Sequence, residues 1–531
     1  MTWPIVGIAL FSANISSSTL VGLASDGFQT NINVYNYEWY AVIVLIIFSV
    51  FFLPFYLKSG VYTMPEFLER RFDKRSRYYF SLITVIGNVM VDTAAALYVG
   101  SIVLKLLFPE YSSTTIIILL AIAAAAYTIP GGLNSVIQTE VIQAILLIIG
   151  SCLITYFAFD QLGGGWSAMM DGLDGMLSAG QIDFGDRAAN GAYIPETATD
   201  VFSVVRPAND EFMPWWGLIS GVALLGFYFW ANNQFMVQRV LGAKDLHHGR
   251  MGALFAGFLK LPVIFIMIVP GVLALLLFND LDISGLNYPL ASGEMCASLT
   301  DCPNLTYPVL LFQLLPTGVL GLVVAGLLAA MMSSVSATFN SASTLITMDF
   351  VKQFKPELDG KQLVRVGQIT TLVLVVLASL WVPFIEKVSD SLWGYLQLVI
   401  AFTSPPVVAT FILGLFWKKS NANGAFSSLM VGGAFAVFMI LSASFDWSPY
   451  INDLHFLAKA NLLFVIAVVV NVVVSLTSGK VDEQKVAEYT YKRSFYNEET
   501  EQLKGLPWYK NYRTLSVILL IITAIFVGMF W

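Results

Sequence analysis

Two adjacent serines, Ser333 and Ser334, lie inside a long apolar segment and could bind a small cation. A hard cation such as sodium prefers oxygen ligands, and neutral hydroxyls and carbonyls hold it weakly enough to release it again. Serines on an apolar helix also serve helix packing. The pair therefore indicates a sodium site only if further oxygen atoms lie beside it.

The segment 3–24 could supply those oxygen atoms. Six of the eight residues from Ser12 to Thr19 are polar, in the middle of an otherwise apolar stretch. Ser and Asn side chains compete for the backbone hydrogen bonds that hold a helix together. The pattern predicts an unwound segment whose carbonyl groups line a cavity, with a serine-rich packing face as the alternative.

Three hydrogen-bonding side chains in other apolar segments, Glu38, Lys260 and Gln397, point to a polyhydroxy ligand. Ionisable groups inside membrane helices are usually functional, and an amide offers both donors and an acceptor. Together they could bind the hydroxyls of a sugar, with Tyr37 and Trp230 covering its apolar face. The alternatives are an interfacial Glu38, a Lys260 that extends to the membrane surface, and a Gln397 that joins two helices.

Two other carboxylates lie in or beside apolar segments. Glu140 begins the segment 135–160 and could line an ion exit path or cap a helix N-terminus. Asp92 is expected to be buried within the segment 78–107, where the sequence assigns it no partner.

The composition is that of an all-α polytopic membrane protein. Of 531 residues, 57% are hydrophobic and 12% charged, about half of the charged share of soluble domains. A net charge of −7 gives no reason to expect nucleic acid, and three cysteines exclude a disulfide scaffold. Strict alternation of polar and apolar residues is absent, which favours helices over barrel strands.

About 13 membrane spans are expected, since roughly 20 apolar residues cross a bilayer. They are named span 1 to span 13 in chain order: 3–24, 36–57, 78–107, 114–128, 135–160, 212–238, 248–278, 308–350, 363–385, 390–416, 420–443, 456–477 and 512–530.

The basic residues predict how these spans are oriented. Most of the 28 Lys and Arg residues lie in five loops that share one side if the spans alternate. The positive-inside rule places that side and Met1 in the cytoplasm, and Trp531 outside, in a plasma membrane or a bacterial inner membrane. Cys296 and Cys302 then lie in an external loop, 279–307, where they form a disulfide or remain two thiols.

Spans 1 and 6 predict an inverted repeat. Span 6 also carries polar and aromatic residues at its middle, and it runs opposite to span 1. Two interrupted helices of opposite direction, each opening a five-helix unit, are typical of such repeats. The expected division is a first unit at 1–160, an external loop at 161–211, a second unit at 212–416, and additional helices at 417–531 with a cytoplasmic linker at 478–511.

A membrane enzyme or sensor is the alternative class of protein. The sequence shows no paired nucleophile and histidine, no metal cluster, no phosphate-binding loop and no long soluble output domain. We therefore expect a transporter that is not an enzyme and whose partners are a small solute, an ion and the lipid bilayer.

Several stretches carry a family resemblance: Phe11 to Ser16, Tyr37 to Trp39, Gly60 to Phe72, Gly131 to Gln143, Asn233 to Arg239, Ala329 to Asp349 and Ser404 to Lys419. In these stretches the chain resembles the sodium/solute symporter family, and most of all its sodium/glucose cotransporter branch. The resemblance implies the leucine-transporter fold with its 5+5 inverted repeat, alternating access, and Na+ as the coupling ion.

The resemblance also implies the residues of the sites. Sodium would bind to carbonyls of Ser12, Ile15 and Ala330 and to hydroxyls of Ser333 and Ser334, with a possible second sodium site or exit path at Glu140 and Ser336. The substrate would contact Asn14, Thr19, Glu38, Trp230, Lys260 and Gln397. The gates would be Tyr37, Phe229 and Trp393.

Three positions depart from the family pattern. Thr19 stands where relatives have Gln or His, Gly226 where a bacterial galactose-type relative has a sugar-binding Asn, and Phe229 where a Tyr is common. The resemblance thus implies uptake of a hexose such as glucose or galactose, and leaves open myo-inositol, another polyol or a sugar acid.

Overall fold

The computed structural model describes residues 1–182, 192–279, 281–286, 288–289, 295–389 and 391–531, without the side chains at 127 and 130–141. Within these ranges the chain folds into helices, and its extended pairing is limited to two isolated β-bridges. This confirms the predicted all-α fold class.

Span 1 is broken, as its polar centre predicts. The helix Trp3–Asn14 ends before Ile15, and a second helix, Ser17–Gln29, continues at an angle of 58°. Span 6 is interrupted as well. Its helix Gly221–Phe227 passes through a π-helical turn into an extended Asn233 before the helix Gln234–Leu241 begins.

Two further breaks were not predicted. Span 7 consists of the helices Leu246–Lys260 and Ile264–Phe278, bent by 45°, and Pro262 between them supplies the physical reason because proline lacks a backbone donor. Span 8 was expected from 308, but Leu315 is extended before Pro316 and separates the helix Thr306–Leu314 from span 8 proper.

The other spans are helices close to their predicted positions. Span 2 is Asn31–Ser59, span 3 Lys74–Leu107, span 8 Thr317–Phe354, span 9 Gly360–Val388, span 10 Leu392–Phe416, span 11 Ala422–Phe445, span 12 Phe456–Thr477 and span 13 Tyr512–Gly528. The linker contains the helices Glu483–Tyr489 and Arg493–Leu503.

Spans 4 and 5, predicted at 114–128 and 135–160, correspond to the apolar helices Ser113–Ala126 and Ile142–Leu162. The backbone between them is helical as well, throughout Ser113–Leu162. By length and apolar composition, the described residues form eight spanning helices, or ten if each bent pair is one span, besides shorter apolar helices. The count of 13 and the domain boundaries stay predictions.

Glycines let the two bent spans pack backbone to backbone. A Cβ at Gly271 in span 7 would collide with the carbonyl oxygen of Ala24 in span 1, and one at Gly27 would meet the carbonyl of Ile268. Such close approach between membrane helices requires residues without a side chain. The second half of span 1 is thereby held against span 7.

Cys296 and Cys302, in the loop that follows span 7, are joined by a disulfide.

Candidate functional site

A cavity lies where span 1 is broken, between spans 1, 2, 3, 6, 8 and 10. The structure brings nine of the predicted site residues into its lining: Asn14, Thr19, Tyr37, Glu38, Phe229, Trp230, Ser334, Trp393 and Gln397. These nine residues come from five separate spans and thus meet at one cavity.

The break in span 1 has its own hydrogen bonds. Ser16 caps the second helix, because its Oγ accepts from the Thr19 amide at 3.2 Å. The Thr19 hydroxyl donates to the carbonyl oxygen of Asn14 at 2.6 Å. Thr19, predicted to contact substrate, therefore lines the cavity with its hydroxyl already engaged in holding the break.

The same hydrogen bonds release the two predicted carbonyl ligands in span 1. In a continuous helix, Ser12 would accept from the amide of Ser16, and Ile15 from that of Thr19. Instead the Ser16 amide donates to Asn14 at 3.0 Å and the Thr19 amide donates to the Ser16 hydroxyl. Both carbonyls are thus without the partner that a helix would give them, as a cation site requires.

The serines of span 8 supply hydroxyls near that break. Ser333 and Ser336 are 1% and 0% exposed, and neither hydroxyl has a hydrogen-bond partner among the described residues. Ser334 lines the cavity, Ala330 lies one turn earlier on the same helix, and span 8 packs against the second half of span 1. Buried polar groups without partners are unusual, and this donor set fits a sodium ion. The side chain of Glu140 lies outside the described residues, so the second sodium site stays a prediction.

A buried ion pair lies behind the cavity wall. Lys260 is fully buried, forms an ion pair with Glu38 and donates to the side-chain oxygen of Asn14. Its ammonium also lies 5.6 Å from the centroid of the Trp230 ring. The alternative of a Lys260 that reaches the membrane surface is excluded. Lys260 is not part of the cavity lining, but its two partners Asn14 and Glu38 are.

Three aromatic rings cover one end of the cavity. Tyr37 packs edge-on against Trp393 with ring centroids 5.9 Å apart, and against Phe212 at 6.1 Å. Phe212 is the first residue of the predicted span 6 and lies before its helix Gly221–Phe227, and no sequence pattern predicted its part in this cluster. Phe229 packs edge-on against Trp230 at 5.3 Å. Gln397 lies one helical turn after Trp393 and lines the same cavity.

Asp92 is the site residue that sequence reasoning left without a role. It lines the cavity from the π-helical turn Asn88–Thr93 of span 3, and such turns are frequent at functional sites. Two carboxylates, Glu38 and Asp92, therefore line the cavity, and no Lys, Arg or His does so among the described residues. The lining therefore offers an anionic ligand no positively charged side chain among the described residues.

Comparison with known sequences agrees with this architecture. The model of the sodium:solute symporter family matches residues 1–432. The chain is 33% identical to sodium/glucose cotransporter 4 of Danio rerio, over 96% of this chain and 78% of that protein. It is 33% identical to sodium/glucose cotransporter 1 of Mus musculus over 95% and 76% of the two chains. It is 32% identical to the sodium/myo-inositol cotransporter of Bos taurus over 96% and 72%.

Solved structures share the fold at low sequence identity. A substrate-bound, outward-open sodium-coupled sialic acid symporter superposes with a TM-score of 0.68 and 21% identity, covering 91% of each chain. Mhp1, a nucleobase-cation-symport-1 family transporter, gives a TM-score of 0.51 and 12% identity over 92% of this chain and 95% of that one.

The fold and the site define a secondary transporter of the leucine-transporter type rather than an enzyme. The chain belongs to the sodium:solute symporter family, which confirms the family predicted from the sequence and sodium as its coupling ion.

Proposed function

We propose that this protein uses a sodium gradient to take up an uncharged sugar, a hexose such as glucose or galactose, by alternating access. One observation carries the proposal. The side chain of Asn14, the last residue before the break in span 1, is held by the Lys260–Glu38 pair. A sugar at Asn14 and a sodium ion at the freed carbonyls would therefore share one short piece of backbone.

This shared backbone explains how the two ligands are coupled. Sodium bound to the carbonyls of Ser12 and Ile15 and to the hydroxyls of Ser333 and Ser334 would fix the geometry of the break. The fixed break would in turn position Asn14 for the sugar. Such a coupling free energy is reciprocal, so each ligand raises the affinity for the other by the same factor. The membrane potential adds about 2.3 kcal/mol per charge per 100 mV to the driving force for uptake.

The charge of the cavity selects among the candidate solutes. Lys260 would suit a sugar acid, but Glu38 already neutralises it, and among the described residues no Lys, Arg or His lines the cavity. An uncharged solute fits this cavity, and an anion does not. Myo-inositol is the second candidate, because a sodium/myo-inositol cotransporter is among the relatives that match nearly the whole chain.

The proposed orientation follows from the positive-inside rule. The basic loops and Met1 lie in the cytoplasm, and the loop with Cys296 and Cys302 lies outside a plasma membrane. The aromatic cover of Tyr37, Trp393 and Phe212 then closes the external end of the cavity, and Phe229 lies on the path to the cytoplasm.

The test is uptake into proteoliposomes with an inward sodium gradient. Labelled glucose, galactose and myo-inositol are offered singly, and a uronate serves as the charged comparison. We expect sodium-dependent uptake of one uncharged solute, and its loss in Gln397→Ala and Lys260→Ala. Equal uptake with choline in place of sodium would refute the proposal, and preferred uptake of the uronate would refute the argument from charge.

A further inference from the structure

A second cavity lies at the basic side of the protein, between the linker and the ends of spans 2 and 7. Its walls include Val50, Pro54 and Phe55 from span 2, Leu246 from span 7 and Phe495 from the linker helix Arg493–Leu503. The residues come from the last turns of span 2 and the first turn of span 7. The cavity therefore lies at the depth where the headgroups of a bilayer begin.

The linker helix is anchored beside this cavity by a group of charges that satisfy each other. Glu499 forms ion pairs with Arg250 of span 7 and, at 2.9 Å, with Arg513, and it accepts a hydrogen bond from Tyr512 at 2.6 Å. Burial alone would raise the pKa of Glu499, but the hydrogen bonds from Tyr512 and Arg250 lower it below its ordinary value. The carboxylate is thus charged and fully used by the anchor.

Two lysines at the edge of the cavity have no such partner. The ammonium groups of Lys58 and Lys492 each lie 5.9 Å from the centroid of the Phe495 ring. Within the described residues neither ammonium group forms an ion pair or a hydrogen bond. Two positive charges without such a partner among the described residues therefore lie near the Phe495 ring, which forms one wall of the cavity.

We propose that this second cavity binds an anionic phospholipid, with the phosphate between Lys58 and Lys492 and an acyl chain along Val50 and Pro54. Basic pockets between membrane helices on the cytoplasmic side are suited to anionic headgroups. Ile47, one turn from Val50 on the same helix, is 36% exposed and continues the apolar wall toward the bilayer. A free phosphate would complement the lysines but leave the apolar wall uncovered.

The bound lipid joins the linker to spans 2 and 7. Span 2 provides Lys58, the linker provides Lys492, and the anchor at Glu499 already ties that linker helix to Arg250 of span 7. An anionic lipid in the cavity should therefore raise the thermal stability of the whole protein, because a ligand that binds only the folded state stabilises it.

The experiment measures the thermal unfolding midpoint of the full chain in neutral detergent with added phosphatidylglycerol, phosphatidylcholine or inorganic phosphate. Of these three additions, we expect only phosphatidylglycerol to raise the midpoint. Each of Lys58→Gln and Lys492→Gln should weaken the apparent affinity about fivefold. Lys361→Gln removes an exposed lysine elsewhere on the basic side and should leave the affinity unchanged.

Each other outcome would overturn the proposal. An equal shift with phosphatidylcholine would show a nonspecific lipid effect, and a shift with inorganic phosphate alone would show an anion site rather than a lipid site. The same affinity in Lys58→Gln and Lys492→Gln as in the unaltered protein would place the lipid elsewhere. The readout is binding, so it is independent of the substrate and of sodium-coupled uptake.

Discussion

The Lys260 ammonium donates a hydrogen bond to the side chain of Asn14, the last helical residue before the break in span 1. The backbone carbonyl of the same Asn14 accepts from Thr19 across that break. Asn14 is therefore held at both its side chain and its backbone. Through it the buried ion pair at Glu38 is connected to the unwound backbone proposed to bind sodium.

Replacing Thr19 with valine removes the hydrogen bond across the break and keeps the size of the side chain. One hydrogen bond contributes about 1 kcal/mol, so we expect the half-saturating sodium concentration of uptake to rise about fivefold. Thr19→Ser retains the hydroxyl and is the matched control. Unchanged sodium dependence in Thr19→Val would show that the bond does not hold the break.

Replacing Ser333 with alanine removes a buried hydroxyl that has no hydrogen-bond partner among the described residues. Such a change is close to neutral for stability unless the hydroxyl binds a ligand. We expect thermal stability without sodium to be preserved and the sodium affinity to fall about tenfold. Ser343→Ala is the control on the same helix, because the Ser343 hydroxyl bonds the carbonyl of Gly367 at 3.0 Å. Similar loss of sodium affinity in both variants would argue against the site.

Two variants distinguish the contribution of the buried Lys260–Glu38 pair to stability from its contribution to solute binding. Breaking a buried ion pair by removing one partner costs about 3–5 kcal/mol, so Lys260→Met should lower the unfolding midpoint strongly. The double variant Lys260→Met with Glu38→Gln leaves no unpaired charge, and we expect most of the stability to return. Solute binding should stay lost in the double variant. Its full recovery would mean that the pair is only structural.

The acidic side chain of Asp92 lines the cavity and forms no ion pair among the described residues, so we expect it to disfavour anions there. Asp92→Asn keeps the shape of the side chain and removes its charge, so we expect a uronate to compete for the site about tenfold better than in the unaltered protein. The affinity for the uncharged solute gives the matched comparison. An unaltered preference for the uncharged solute over the uronate would show that Asp92 does not set the charge of the ligand.

Part of this architecture follows from local sequence. Six polar residues at 12–19 predict the break in span 1. Their side chains compete for the backbone hydrogen bonds of residues a few positions away, so the effect can be recognised in the local sequence. The bend in span 7 could have been found in the same way, since Pro262 lies only two residues after Lys260.

Other parts depend on contacts between distant segments. Whether Lys260 is buried or extends to the surface depends on Glu38 and Asn14, which lie far away in the chain. The role of Phe212 follows from its contact with Tyr37 alone.

The most direct test asks whether sodium and solute binding are coupled through the break in span 1. It measures how each of the two ligands affects the binding of the other in the purified protein. Solute affinity is measured at zero and at saturating sodium, and sodium affinity without and with saturating solute. The account predicts that sodium raises the solute affinity, that solute raises the sodium affinity by the same factor, and that Thr19→Val reduces both factors together. Solute binding of equal affinity in sodium and in choline would contradict it.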